Sequence, residues 1–156
     1  MSARTHPSSP LRVSDHPFLR GMDTAFLELL GENAHERTFE TGTLLVREGD
    51  PADEFMLIFQ GKVALETMVP DHPRTTIQTV GPGEVLGWSW LTLPYRWRLD
   101  GRALKPTRVL EIGAAHLRSI LDDHPAEGYQ FLLRVLPVIA ERLENTRLQL
   151  LDIHGI

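Results

Sequence analysis

"FETGTLLVREGDPADEFMLIFQGKVAL", residues 39–65, decides how the chain folds. Its apolar runs are short and rich in Val, Ile, Leu and Phe, and between them stand Gly42, Glu48-Gly49-Asp50-Pro51 and Gly61. Short apolar runs bounded by turn residues are the pattern of strands. Extended over residues 38–112, the punctuation recurs about every ten residues, at Asp71 to Pro73, Gly81-Pro82-Gly83 and Lys105-Pro106. That spacing predicts an antiparallel sandwich or barrel.

Helical periodicity flanks this β region. In "MDTAFLELLGENA", Asp23 or Thr24 is the expected N-cap, Phe26, Leu27, Leu29 and Leu30 share one side, and Gly31 is the expected stop. After Ile112 the period returns in "AAHLRSILDDHP" and then in a long segment from about 126 to 152. There Leu132, Leu136, Ile139, Leu143, Thr146, Leu150 and Ile153 alternate spacings of four and three. This is the seam of a two-helix coiled coil, so a homodimer is expected, the alternative being a helix packed on its own barrel. Pro137 is expected to kink the segment or to mark the end of a preceding helix. Residues 1–15, made largely of Ser, Pro, Arg and His, read as a flexible N-terminal tail, which leaves 16–152 as one domain.

Composition narrows the function. A chain of 156 residues with 42% hydrophobic residues builds a single core. A net charge of −5 and no basic stripe argue against a nucleic-acid partner. The absence of cysteine excludes disulfides, thiolate metal sites and thiol catalysis. No apolar run approaches the roughly 20 residues that span a bilayer, and the first residues lack a signal-peptide core, so no membrane partner and a cytoplasmic location are expected. Between His35 and His116 only His72 occurs, too few for a metal-dependent barrel enzyme. His6, His16, His116, His124 and His154 are expected to face solvent, no Ser/His/acid set stands out, and no catalytic residue, metal or cofactor is assigned.

The order of elements and the motifs together resemble the cyclic-nucleotide-binding domain of the catabolite-activator (CRP/FNR) superfamily. The residues that carry it are the 39–65 stretch, "VGPGEVLG" (80–87), "RAL" (102–104) and "VLEI" (109–112), and the likeness spans about 17–152. It implies a mainly β fold with flanking α elements: a double-stranded β-helix (jelly-roll) barrel followed by a long dimerisation helix. It also implies a non-enzymatic regulatory role as a sensor or adaptor. "RLENT" (142–146) is similar to the stretch that brings a partner hydroxyl to the nucleotide base, which places Thr146 there. No helix-turn-helix follows in this sequence, so a self-sufficient DNA-binding regulator is not expected.

The pocket is where the resemblance breaks. Family members that bind nucleotide follow a Gly with a Glu for the ribose and supply an Arg, some ten residues on, for the cyclic phosphate. Here the Gly is Gly87, the Glu position is Trp88, and counting back from "RAL" puts Trp97 at the Arg position. Trp97, Leu99, Gly101 and Ala103 alternate with Arg96, Arg98, Asp100 and Arg102, so Arg96 and Arg98 point away from an apolar interior unless they lie in a loop. Gly87, Trp88, Ser89, Trp90, Tyr95, Arg96, Trp97, Arg98 and Thr146 are the candidate ligand-binding residues. Three readings stay open: the tryptophans fill the pocket, they stack on a small-molecule effector that is not a nucleotide, or Arg96 or Arg98 retains cyclic AMP or GMP. A sealed dimer serving as a protein-interaction module is the further alternative.

Overall fold

The structure, a computed structural model, describes residues 10–153. Helix α1 (Thr24–Glu32) precedes strands β1 (Ala34–Phe39), β2 (Leu44–Val46), β3 (Glu54–Thr67), β4 (Thr75–Val80) and β5 (Asp100–Gly113), followed by helices α2 (Ala114–Asp123) and α3 (Pro125–Ile153). The Asp23 carboxylate caps α1 by accepting from the Phe26 N–H at 3.0 Å. Gly31 lies inside the last turn of α1 rather than ending it.

All strand pairs are antiparallel, in the order β1-β5-β3-β4 with β2 also on β5. This antiparallel core with flanking helices is the jelly-roll fold expected. Two strands of 14 residues, β3 and β5, form its spine, and each runs through a residue that the sequence marks as a breaker. At Gly61 the register of β3 against β5 shifts, and a Cβ there would lie 2.4–2.6 Å from atoms of Pro106 and Thr107. Gly61, at φ 103°, is therefore present because the two strands approach too closely for a side chain, not because the chain turns. Pro106 likewise lies within β5.

The core gathers Phe55, Leu57, Ile58, Val63, Leu65, Leu86, Val109 and Ile112 inside the strands. Helix α3 closes it with Phe131 and Val135, and Phe131 stands edge-on to Phe18, Phe55 and Trp90 at 5.4–5.8 Å between centroids. The helix continues through Pro137, so of the kink and the helix end expected there, the helix end is corrected.

The N-terminal segment also joins the core. Residues 1–9 of the expected tail lie outside the described residues, but Val13–Asp15 form a short 3-10 turn with Val13 buried, so packing begins before residue 16. His16, expected at the surface, is fully buried: its Nε2 lies 2.8 Å from the Ile58 carbonyl and its Nδ1 accepts from the Phe18 N–H at 3.2 Å. A histidine whose two ring nitrogens both find backbone partners is as well satisfied inside as in water.

Candidate functional site

The loop from Gly83 to Asp100 carries the site, and two backbone tracts anchor it. Residues 83–86 pair with β3 through Gly83 N–H to Ile58 O (3.0 Å), Ile58 N–H to Glu84 O (3.0 Å) and Leu86 N–H to Met56 O (3.1 Å). Residues 95–97 pair with the Gly49 turn through Gly49 N–H to Trp97 O (2.8 Å), Trp97 N–H to Asp50 O (2.9 Å) and Ala52 N–H to Tyr95 O (2.7 Å). These bonds hold Trp97 strand-like ahead of β5, and alternation then turns its indole inward. Trp97 is 5% exposed, while Arg96 and Arg98 on either side are exposed.

Both arginines are spent on backbone carbonyls. Arg96 donates to the Gly49 carbonyl at 2.8 Å and Arg98 to the Leu93 carbonyl at 3.1 Å. Asp100 departs from the expected outward face: it is buried, accepts from the Glu48 N–H at 2.8 Å and is ion-paired with Arg74.

The three tryptophans have three fates. Trp90 is completely buried, 5.0 Å from Phe55 and 5.8 Å from Phe131, with its indole N–H on the Gly87 carbonyl at 3.1 Å. Burial of an indole contributes about 5 kcal/mol of apolar transfer, and this ring lies in the core under α3, which removes it from the pocket candidates. Trp97 packs on Gly87, with ring atom Cζ3 3.5 Å from where a Gly87 Cβ would sit. Trp88 is half-buried, and the Arg142 guanidinium lies over its ring at 4.9 Å.

Trp88, Ser89, Trp97, Arg98, Leu99 and Arg142 line one cavity of about 170 Å³. Arg142 comes from α3, is 7% exposed, and is held by Nε on the Gln78 side chain (2.7 Å) and Nη2 on the Leu86 carbonyl (3.4 Å). Burial lowers its pKa to about 10, with Glu141 and Glu84 pulling the other way, so it is a cation at neutral pH. The Ser89 hydroxyl and the Trp88 and Ser89 amides have no acceptor among the described residues.

Tyr95 lies outside this cavity, stacked under the Arg118 guanidinium at 4.0 Å, and Arg118 also donates to the Trp90 carbonyl at 2.6 Å. Thr146 is turned to its own helix, its hydroxyl donating to the Arg142 carbonyl at 2.8 Å. Of the seam residues, Leu132, Leu136, Leu143 and Leu150 are 44–69% exposed and Ile139 is half-buried. Arg142 is the residue that the sequence reading missed. Its signal was the neighbouring stripe of α3, one residue ahead of the seam, where Phe131, Val135, Val138 and Arg142 recur at four, three and four with an arginine among apolar residues.

A family model for the cyclic nucleotide-binding domain matches residues 36–124, more than half of the chain. The chain belongs to that family. A CRP-like cAMP-activated global transcriptional regulator of Mycobacterium tuberculosis is 27% identical over 134 residues, 86% of this chain and 58% of that protein. Cyclic nucleotide-gated ion channel 2 of Arabidopsis thaliana is 30% identical over 119 residues, 70% of this chain and 16% of the channel. The domain thus spans about half, or far less, of the curated relatives it matches. Among solved structures, one from Geobacter metallireducens, of a protein named for cyclic-nucleotide binding, superposes with a TM-score of 0.75 at 30% identity, covering 87% of this domain and 98% of that chain. Among the described residues no helix is long and apolar enough to cross a membrane, and no three His, Asp or Glu residues cluster as metal ligands.

Proposed function

We propose that this cyclic nucleotide-binding domain is a non-enzymatic regulatory sensor whose pocket has been rebuilt for a ligand other than a cyclic nucleotide. The observation that carries this reading is Trp97 buried on Gly87 while Arg96 and Arg98 on either side are exposed and bonded to the Gly49 and Leu93 carbonyls. With Trp88 at the ribose-acceptor position, both polar anchors expected for a cyclic nucleotide are indoles. An Arg–phosphate pair makes two charge-assisted hydrogen bonds of roughly 1.5–3 kcal/mol each, so its loss alone weakens binding by on the order of a hundredfold to ten-thousandfold. The remaining cavity of about 170 Å³ is below the roughly 300 Å³ usual for a drug-sized ligand.

Isothermal titration calorimetry with about millimolar cyclic AMP and cyclic GMP tests the reading: no saturable heat is expected. Saturable binding that Arg96→Gln or Arg98→Gln abolishes overturns it in favour of a retained nucleotide site. Trp88→Glu combined with Trp97→Arg restores both anchors and is expected to create binding; a folded double variant that stays inert counts against the assignment of those two positions.

The same reading makes the sensor a homodimer. The exposed Leu132, Leu136, Leu143 and Leu150 of α3 follow one another at four, seven and seven residues, a stripe that a seam with a second copy would cover, while Ile139 between them packs against the core.

A further inference from the structure

We propose that Arg142 is the charge-recognising residue of this cavity, and that its ligand is a compact organic anion whose carboxylate or phosphate meets Arg142 and whose planar body lies against Trp88 and Trp97. The inference rests on the rebuilt pocket proposed above and names the ligand class that pocket takes.

Two features of the cavity point to an anion and a third to its planar body. The first is an arginine, Arg142, that is only 7% exposed yet has no carboxylate at ion-pair distance among the described residues. Its hydrogen bonds go to a neutral amide and a carbonyl through Nε and Nη2, and Nη1 has no acceptor among the described residues. A buried cation is ordinarily paired directly; Arg142 has only the more distant Glu141 and Glu84 and the Trp88 ring, which leaves room at the cavity for an anion in direct contact. The second feature is the Ser89 side chain, 8% exposed, whose hydroxyl has no partner among the described residues. Ser89 and Trp88, whose amides are likewise without a partner among the described residues, line the same cavity, and no carboxylate is in its lining, Glu84 and Glu141 acting on Arg142 from outside it. The third is the wall: two indoles offer flat apolar surface, and the volume admits a body of about one ring rather than a purine with its ribose.

The charge also enters from a different element than the loop. Arg142 sits on α3, one residue before Leu143 on the exposed seam, and Gln78 of β4 holds it at 2.7 Å while donating to Glu141 at 2.6 Å. An anion that draws the guanidinium therefore acts directly on the helix proposed to pair with a second copy.

Benzoate and phenyl phosphate are the probes, with acetate and inorganic phosphate as ring-free controls, read by calorimetry and by the fluorescence of the cavity tryptophans on the full chain. Saturable binding of at least one ring-bearing probe is expected, at least tenfold tighter than its control. A tenfold or greater loss is expected in Arg142→Met, and a loss of several-fold in Ser89→Ala. A preference for benzoate or for phenyl phosphate identifies the ligand's anionic group. If Arg142→Met fails to fold by circular dichroism, Ser89→Ala decides, and an unchanged affinity there overturns the proposal. No saturation by either ring-bearing probe at 10 mM overturns it as well, yet leaves the rebuilt-pocket reading standing if cyclic nucleotides also fail. Cyclic-nucleotide binding removes the reading beneath it.

Discussion

His16 shows how far a single buried residue reaches into the chemistry of the whole chain. It joins the N-terminal segment to β3 through Ile58 and meets the Phe59 ring edge-on at 4.9 Å. Its two backbone contacts suit the neutral ring, with Nε2 donating and Nδ1 accepting. Burial dominates and lowers its pKa below the usual 6.5; the Ile58 and Glu84 carbonyls oppose this and Arg20 adds to it. The unfolded chain therefore binds a proton at a higher pH than the folded one does. The stabilising contribution of His16 is complete above about pH 6.5 and is lost as pH falls from there through the folded-state pKa. Urea denaturation across pH 5–8 is expected to show a decline on the acid side that His16→Gln flattens; parallel curves for the two proteins would show that His16 does not carry it. Gly61 offers a second test at this scale. A methyl there meets Pro106 and Thr107 at under 3 Å in a left-handed conformation, so Gly61→Ala is expected to cost roughly 2–4 kcal/mol in urea denaturation. A loss below about 1 kcal/mol would mean that β3 and β5 separate easily at their crossing.

Single strands and helices were legible in the sequence to the extent that each follows one period. The capped α1, the short α2 and the strand-rich middle all follow from local patterns, because turn residues and apolar periods act within a few positions. The long strands do not. Gly61 and Pro106 read as breakers because the steric reason for the glycine lies 45 residues away, across β3 and β5, where no local pattern records it. Helix α3 misled in a different way, since it carries two stripes and the reading followed only one. The exposed stripe of Leu132, Leu136, Leu143 and Leu150 was found, whereas the barrel-facing stripe that ends in Arg142 was not. An arginine reads as surface until its burial is known. The exposed stripe carries the prediction that belongs to this scale. Analytical ultracentrifugation is expected to find a dimer, and Leu143→Glu, which sets like charges opposite each other at the seam, to give a monomer of unchanged circular dichroism. A wild-type monomer at tens of micromolar would remove the coiled-coil pairing.

Across the whole molecule, N-terminal segment, barrel, site loop and final helix meet at one ring. Phe131 of α3 touches Phe18, Phe55 of β3 and Trp90 of the site loop, and the charged tie of Arg142 to Gln78 lies farther along the same helix. Domains whose parts share one aromatic cluster unfold together, because no part can leave without opening the core of the others. Phe131→Ala removes a fully buried ring from that junction and is expected to cost about 3–5 kcal/mol. If the cluster binds the molecule into one cooperative unit, urea denaturation of the variant remains a single transition at a lower midpoint, and amide exchange accelerates in β3 and β5 as well as in α3. A variant in which α3 exchanges freely while the strands keep their protection would make the helix a separable lever on a rigid barrel. In that case an anion at Arg142 would act by docking or releasing the helix, and ligand would be expected to slow exchange in α3 alone.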